Sequence, residues 1–154
     1  MEINKVDVLK YNISRFDHYF ASINFKSSFL ILANITILGF LISNSNHVSK
    51  FSLIIVSLIS VLTVTFVLFA IKPFLKTYKG KDSIIYFGDI ANQEDDFDNK
   101  IDNLTLELYI NDLRKQNIIL AQGLKYKFDM LNIATIFFII RAACKFHHHK
   151  LVNL

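Results

Sequence analysis

Apolar positions recur along the first part of the chain at helical spacing. Val6, Leu9, Ile13, Phe16, Phe20 and Ile23 follow one another at steps of 3, 4, 3, 4 and 3. That is the seven-residue repeat that keeps one stripe of an α-helix turned toward a partner. Lys5, Lys10, Asn12, Arg15 and Asp17 fall mostly off the stripe. The register continues through Ser27, Leu30 and Asn34. It therefore predicts one helix running from a polar arm into an apolar stretch, with Asn34 facing a partner, where a polar side chain in hydrocarbon is best satisfied. An amphipathic helix lying on a membrane surface is the other reading of the arm.

Residues 51–71 (FSLIIVSLISVLTVTFVLFAI) carry no charge and are bounded by Lys50 and Lys72. At about 1.5 Å per residue they span roughly 30 Å, the thickness of a bilayer's hydrocarbon. Upstream, no charge occurs between Lys26 and Lys50, and residues 29–42 are apolar except for Asn34, Thr36 and Gly39. The short polar link 44–50 (NSNHVSK) makes the two segments antiparallel. The pattern predicts a transmembrane hairpin. A third apolar run, residues 130–140, is bracketed by Asp129 and Arg141 after 11 residues. It crosses only if Arg141 and Lys145 snorkel and Ala142, Ala143 and Cys144 enter the membrane; otherwise it is a buried or interfacial helix.

A second seam precedes that run: Leu106, Ile110, Leu113, Asn117, Leu120 and Leu124, at steps of 4, 3, 4, 3 and 4. Asn117 on it would fix register, and Asn103 or Asp102 would cap its start. The two arms pair with each other or with copies in other subunits. The intervening stretch is irregular: Pro73, Gly80, an apolar-aromatic patch at 83–91 (SIIYFGDIA), then Glu94, Asp95, Asp96 and Asp98. Those carboxylates lack the central glycine and alternating spacing of a calcium loop and read as a solvated loop.

Composition agrees with a membrane protein. Of 154 residues, 53% are hydrophobic and 19% charged, with a mean hydropathy of +0.38, apolar for a soluble domain of this size. Basic residues fix the orientation. Lys10, Arg15 and Lys26 precede the first span and Lys72, Lys76, Lys79 and Lys81 follow the second, while the link offers only Lys50. The N-terminus and both arms are expected in the cytoplasm, with no cleaved signal peptide. The net charge of +4 is accounted for by lysines flanking the membrane and requires no nucleic acid.

Candidate chemistry is sparse. Cys144 is the single cysteine, which excludes an intrachain disulfide and a cysteine-built zinc site. His147, His148 and His149 are adjacent and do not converge on one ion; a polar tail or an appended tag explains them. No phosphate loop, metal-helix motif or nucleophile elbow is present, so neither an enzyme nor a resident cofactor or metal is expected. Asn34, Ser57, Ser60 and Thr63 form a weakly polar strip along the spans. Helix packing explains it, and so does a path for water in an assembled state. Lys72, Lys76, Lys79 and Lys81 suit a phosphate, and Tyr86 or Phe87 a base. Charge anchoring and local packing are their ordinary roles.

Two blocks carry a family resemblance. Residues 15–19 (RFDHY) continue through 22–30 (SINFKSSFL), and residues 83–91 follow the second span. Together they resemble the small membrane effectors of bacterial Pycsar anti-phage defence. In that family a helix with an Asn- or Asp-x-Lys-Ser/Ala signature feeds into the first span. The likeness covers roughly residues 10–140. It implies an effector in the bacterial inner membrane, downstream of a nucleotide cyclase that makes a diffusible cyclic pyrimidine nucleotide. The effector compromises the membrane and arrests the infected cell. Arg15, Asp17, Asn24 and Lys26 would belong to the signature helix. Ser83, Tyr86, Phe87, Gly88 and Asp89 would form the membrane-proximal patch, with Asp89 among the ligand-sensing candidates.

The expectation is an all-α membrane protein: a transmembrane helical hairpin, with two spans or three, carrying long amphipathic cytoplasmic helices. Its segments are 1–26 (cytoplasmic helix), 27–71 (hairpin), 72–102 (membrane-proximal), 103–127 (heptad helix) and 128–154 (apolar segment and tail). A hairpin this small needs homo-oligomerisation to enclose a pore in the lipid bilayer. A membrane adaptor recruiting a soluble partner and a ligand-independent holin-like toxin remain as alternatives.

Overall fold

The computed structural model describes residues 4–45, 49–73, 83–92 and 96–151, with side chains through Ala143. The regular elements among them are α-helices: α1 Lys5–Ser43, α2 Lys50–Ile71, α3 Phe87–Ile90, α4 Phe97–Asp102 and α5 Leu106–Leu151.

Helix α1 is unbroken over 39 residues, about 58 Å. Asn4 starts it by accepting the Val6 amide at 3.1 Å, a side-chain cap for a backbone donor with no partner in the first turn. Asn44 ends it, donating through Nδ2 to the Phe40 carbonyl at 2.9 Å. Between these ends the predicted seam is the buried side. Val6, Leu9, Ile13, Phe16 and Phe20 are half-buried, and Ile23, Ser27, Leu30, Asn34 and Leu41 are buried.

Helix α2 has 22 residues, about 33 Å. The Ser49 hydroxyl caps it by accepting the Ser52 amide at 3.2 Å. Pro73 stops it. The residue before a proline is driven out of the helical region, and Lys72 sits at φ −49°, ψ 133°. Helix α5 runs for 46 residues, about 69 Å. Its cap is Thr105, whose Oγ1 accepts the Leu108 amide at 3.3 Å, rather than Asp102 or Asn103. A short helix occupies that stretch first, and Asn103 closes α4 by bonding the Asn99 carbonyl.

The chain divides into two compact units. One joins Met1–Phe20 with Pro73–Lys125, the other Ala21–Lys72 with Tyr126–Leu154, so α1 and α5 contribute to both. In the first, the arm unit, the two amphipathic arms pack on each other within one chain. Asn117 donates to the Leu9 carbonyl at 3.1 Å as well as to its own helix at Leu113. The Lys10 ammonium lies over the Tyr109 ring.

The second, the hairpin unit, is built inside out. Ser27, Asn34, Ser60, Thr63 and Arg141 are buried, while Phe29, Leu32, Ile35, Leu58, Val61, Ile136 and Ile139 are exposed. Water would disfavour both choices; lipid accepts the outer face and drives polar groups inward. Helices α1 and α2 are each long and apolar enough to cross a membrane. The chain is an all-α membrane protein. Residues 126–143 of α5 lie beside the hairpin, antiparallel to α2: Lys127 bonds Ala70 and Lys72, and further along the Phe137 ring stacks on Phe66 at 5.5 Å.

Candidate functional site

Two clusters of buried polar groups stand out, one in each unit. In the hairpin unit, the Asn34 amide of α1 donates to the Ser60 carbonyl at 3.2 Å. Its own side-chain and backbone oxygens accept from Nη1 of Arg141. Ser60 lies at the middle of α2 and Asn34 near the middle of the apolar half of α1. The guanidinium of Arg141, 1% exposed, is therefore held halfway along the hairpin. It does not snorkel toward an end. Its Nε and Nη2, and the Ser27 hydroxyl, are buried without a hydrogen-bond partner among the described residues.

Lys127 makes the second inward contact of α5. Its ammonium donates to the carbonyls of Ala70 and Lys72, both at 2.7 Å. Those belong to the end of α2, where carbonyls lack helical partners and the helix dipole favours a cation. The hydroxyls of Ser60 and Thr63 are satisfied within α2, at Val56 and Ile59. Among the strip residues, Asn34, Ser60 and Thr63 are buried and Ser57 is half-buried.

In the arm unit, Ser83 is the hub. Its hydroxyl donates to Asp112 Oδ2 at 3.0 Å and accepts from the amides of Ile85 and Tyr86 and from Gln116. Asp112 also takes the Ile84 amide, and Asp89 takes the Ser83 amide. Asp112 and Gln116, four apart on α5, thereby pin the turn at Ser83 that leads into α3. The Tyr86 ring lies over Gly88, where a Cβ would meet it at 2.6 Å. That contact explains the glycine beside the aromatic pair. Phe87 packs tilted on Tyr86 at 5.0 Å between centroids, yet is 66% exposed.

Ser83→Ala is expected to leave Asp112, Gln116 and two loop amides short of a partner. The cost is about 2 kcal/mol, seen as a roughly 30-fold faster exchange of the Tyr86 amide. Unchanged exchange would mean that the turn is held by other contacts.

The remaining predicted site residues disperse. Asp89 is buried and bonded to the turn; its Oδ1 has no partner among the described residues. Lys72 is exposed, with its carbonyl bound by Lys127. Lys76, Lys79 and Lys81 lie outside the described residues, as do Gly80, Glu94, Asp95 and the side chains of Cys144, Lys145 and His147 to His149. Asp96 and Asp98 are exposed, and Asp96 pairs with Lys100 at 3.3 Å. On the signature helix, Arg15 donates to the Tyr19 hydroxyl at 2.8 Å and stands over the Tyr11 and Tyr19 rings. The Tyr19 hydroxyl raises the Arg15 guanidinium above its ordinary pKa. Asp17 and Asn24 are exposed. Lys26 borders a groove shared with Phe25, Phe29, Phe128 and Leu131.

Sequence reasoning missed Arg141, Lys127, Asp112 and Gln116. The signal for the first two was present. The seam through Asn117, Leu120 and Leu124 continues without a skip to Lys127, Leu131, Ala134, Phe138 and Arg141.

A family model described as the Pycsar effector protein domain matches residues 8–144 of the chain. No curated protein and no solved structure matches it.

Proposed function

This chain belongs to the Pycsar effector protein family, and from that premise we propose that it is a membrane-damaging effector of anti-phage defence triggered by a cyclic pyrimidine nucleotide. In this reading it resides in the inner membrane with its N-terminus in the cytoplasm and acts as a homo-oligomer. A partner cyclase reaches it through the diffusible messenger, and α5 is the third membrane helix. The observation that supports the reading best is the buried polar interior of the hairpin unit. A passive anchor needs no arginine at its middle, because an ionised group at membrane depth is costly and is retained where it does something. Neither an adaptor nor a scaffold explains that expense.

Expression beside an active pyrimidine nucleotide cyclase is expected to depolarise the inner membrane and arrest growth. An inactive cyclase should abolish both. Messenger accumulation with full-length protein in the membrane and no depolarisation would overturn the proposal. Depolarisation with an inactive cyclase would instead favour the holin-like reading.

Messenger sensing is proposed at the turn pinned by Ser83, where Phe87 offers an exposed ring. The lysines at 76, 79 and 81 precede that turn in the sequence and carry cationic charge suited to a phosphate. Base stacking on an aromatic ring contributes about 1–3 kcal/mol. Phe87→Ala is therefore expected to raise the messenger concentration for half-maximal depolarisation by roughly 10- to 100-fold, with membrane insertion unchanged. An unshifted response would remove Phe87 from the sensing surface.

A further inference from the structure

We infer that Arg141 is an anion site: the free edge of its guanidinium takes a small monovalent anion such as chloride halfway along the hairpin unit, and makes the opened membrane path anion-selective. The selectivity rests on the membrane-damaging function proposed above; the binding site does not.

Asn34 occupies Nη1 through two oxygens. The donors left over, Nε and Nη2, are buried and have no partner among the described residues. They share one edge of the planar group, the fork that grips an anion through two parallel N–H bonds. A cation buried in apolar surroundings calls for a counter-charge, and an anion at hydrogen-bonding range interacts with it far more strongly there than in water.

The chain does not supply that counter-charge. No acidic residue occurs between Asp17 and Asp82, nor from Met130 to Leu154. Asp129 precedes Arg141 by about 18 Å of helix. A second copy of the chain would bring the same acid-free hairpin. The anion therefore comes from solution. Its approach is marked by further donors on the same interior. The Ser27 hydroxyl, buried and without a partner among the described residues, lies about 10 Å from Asn34 along α1, toward the end where Lys127 meets Ala70 and Lys72. A cation, an O–H donor and a cation in succession favour anions and repel cations.

The first test uses the full-length protein in nanodiscs, unfolded thermally in sodium chloride, sodium bromide or sodium gluconate at equal ionic strength. Chloride and bromide are expected to raise the midpoint by about 3 °C over gluconate. Arg141→Gln should abolish the difference, and Arg141→Lys should retain part of it. Equal midpoints for the wild-type protein in the three salts, or an undiminished halide effect in R141Q, would overturn the site. The wild-type comparison decides by itself if R141Q does not accumulate.

The second test measures proteoliposomes in a potassium chloride gradient with cyclic CMP or cyclic UMP added. The reversal potential should lie toward that of chloride. A potential toward potassium, or none in either direction, would overturn the selectivity. Halide stabilisation without any conductance would leave the anion site standing and count against the proposed function instead.

Discussion

Asn34→Leu should destabilise the hairpin unit by about 3–5 kcal/mol, because removing one partner of a buried charged contact leaves the other uncompensated. The lost groups are the Oδ1 that accepts from Arg141 and the Nδ2 that donates to the Ser60 carbonyl. Arg141→Leu alone should also destabilise, since Asn34 then keeps a buried oxygen with no donor. The double variant, apolar at both positions, is expected to recover most of the loss. A coupling of about 2–3 kcal/mol between the two sites in a double-mutant cycle, read from reversible unfolding in detergent, is the expected result. Additive effects would show that the two side chains do not depend on one another.

Lys127→Met is the second large effect. The substitution keeps the length of the stem and removes the ammonium that serves the carbonyls of Ala70 and Lys72. Charge-assisted hydrogen bonds contribute about 1.5–3 kcal/mol each. A loss of roughly 3 kcal/mol confined to the end of α2 should raise deuterium uptake there on the order of 100-fold. Lys127→Arg, which retains the charge and its donors, should recover part of the protection. Uptake in K127M equal to that of the wild-type protein would mean that another group closes this end of the helix.

Much of this architecture is legible in the sequence. The 3-4 repeat ran through Ser27 and Asn34 without a skip, so both the continuity of α1 and the inward position of Asn34 could be read from it. The apolar length between Lys50 and Lys72 marked α2 in the same way. The seam of α5 was legible only to Leu124. Its next members include Lys127 and Arg141, and a charge on an apolar stripe reads as the end of the stripe. What makes those charges tolerable lies elsewhere: carbonyls at Ala70 and Lys72, and an asparagine on another helix. No local pattern announces them. The Ser83 turn was opaque for the same reason. Its acceptor and donor, Asp112 and Gln116, sit 29 and 33 positions away, so the sequence showed an aromatic patch without its support. The cap of α5 was misplaced because α4 occupies residues that local preference alone would give to a linker.

The contact between Asn34 and Arg141 also bears on how the protein is made. Helices α1 and α2 are apolar enough to leave water unaided. In α5, by contrast, only 11 residues, Asn132 and Thr135 among them, separate Asp129 from Arg141, too few to cross alone. That segment is also synthesised after both of them. Its docking must wait for a finished hairpin that already offers Asn34 at membrane depth. With α5 as the third membrane helix, as proposed, biogenesis would pass through a stage with two helices inserted and the third still outside, and a hairpin lacking Asn34 would be expected to stop there.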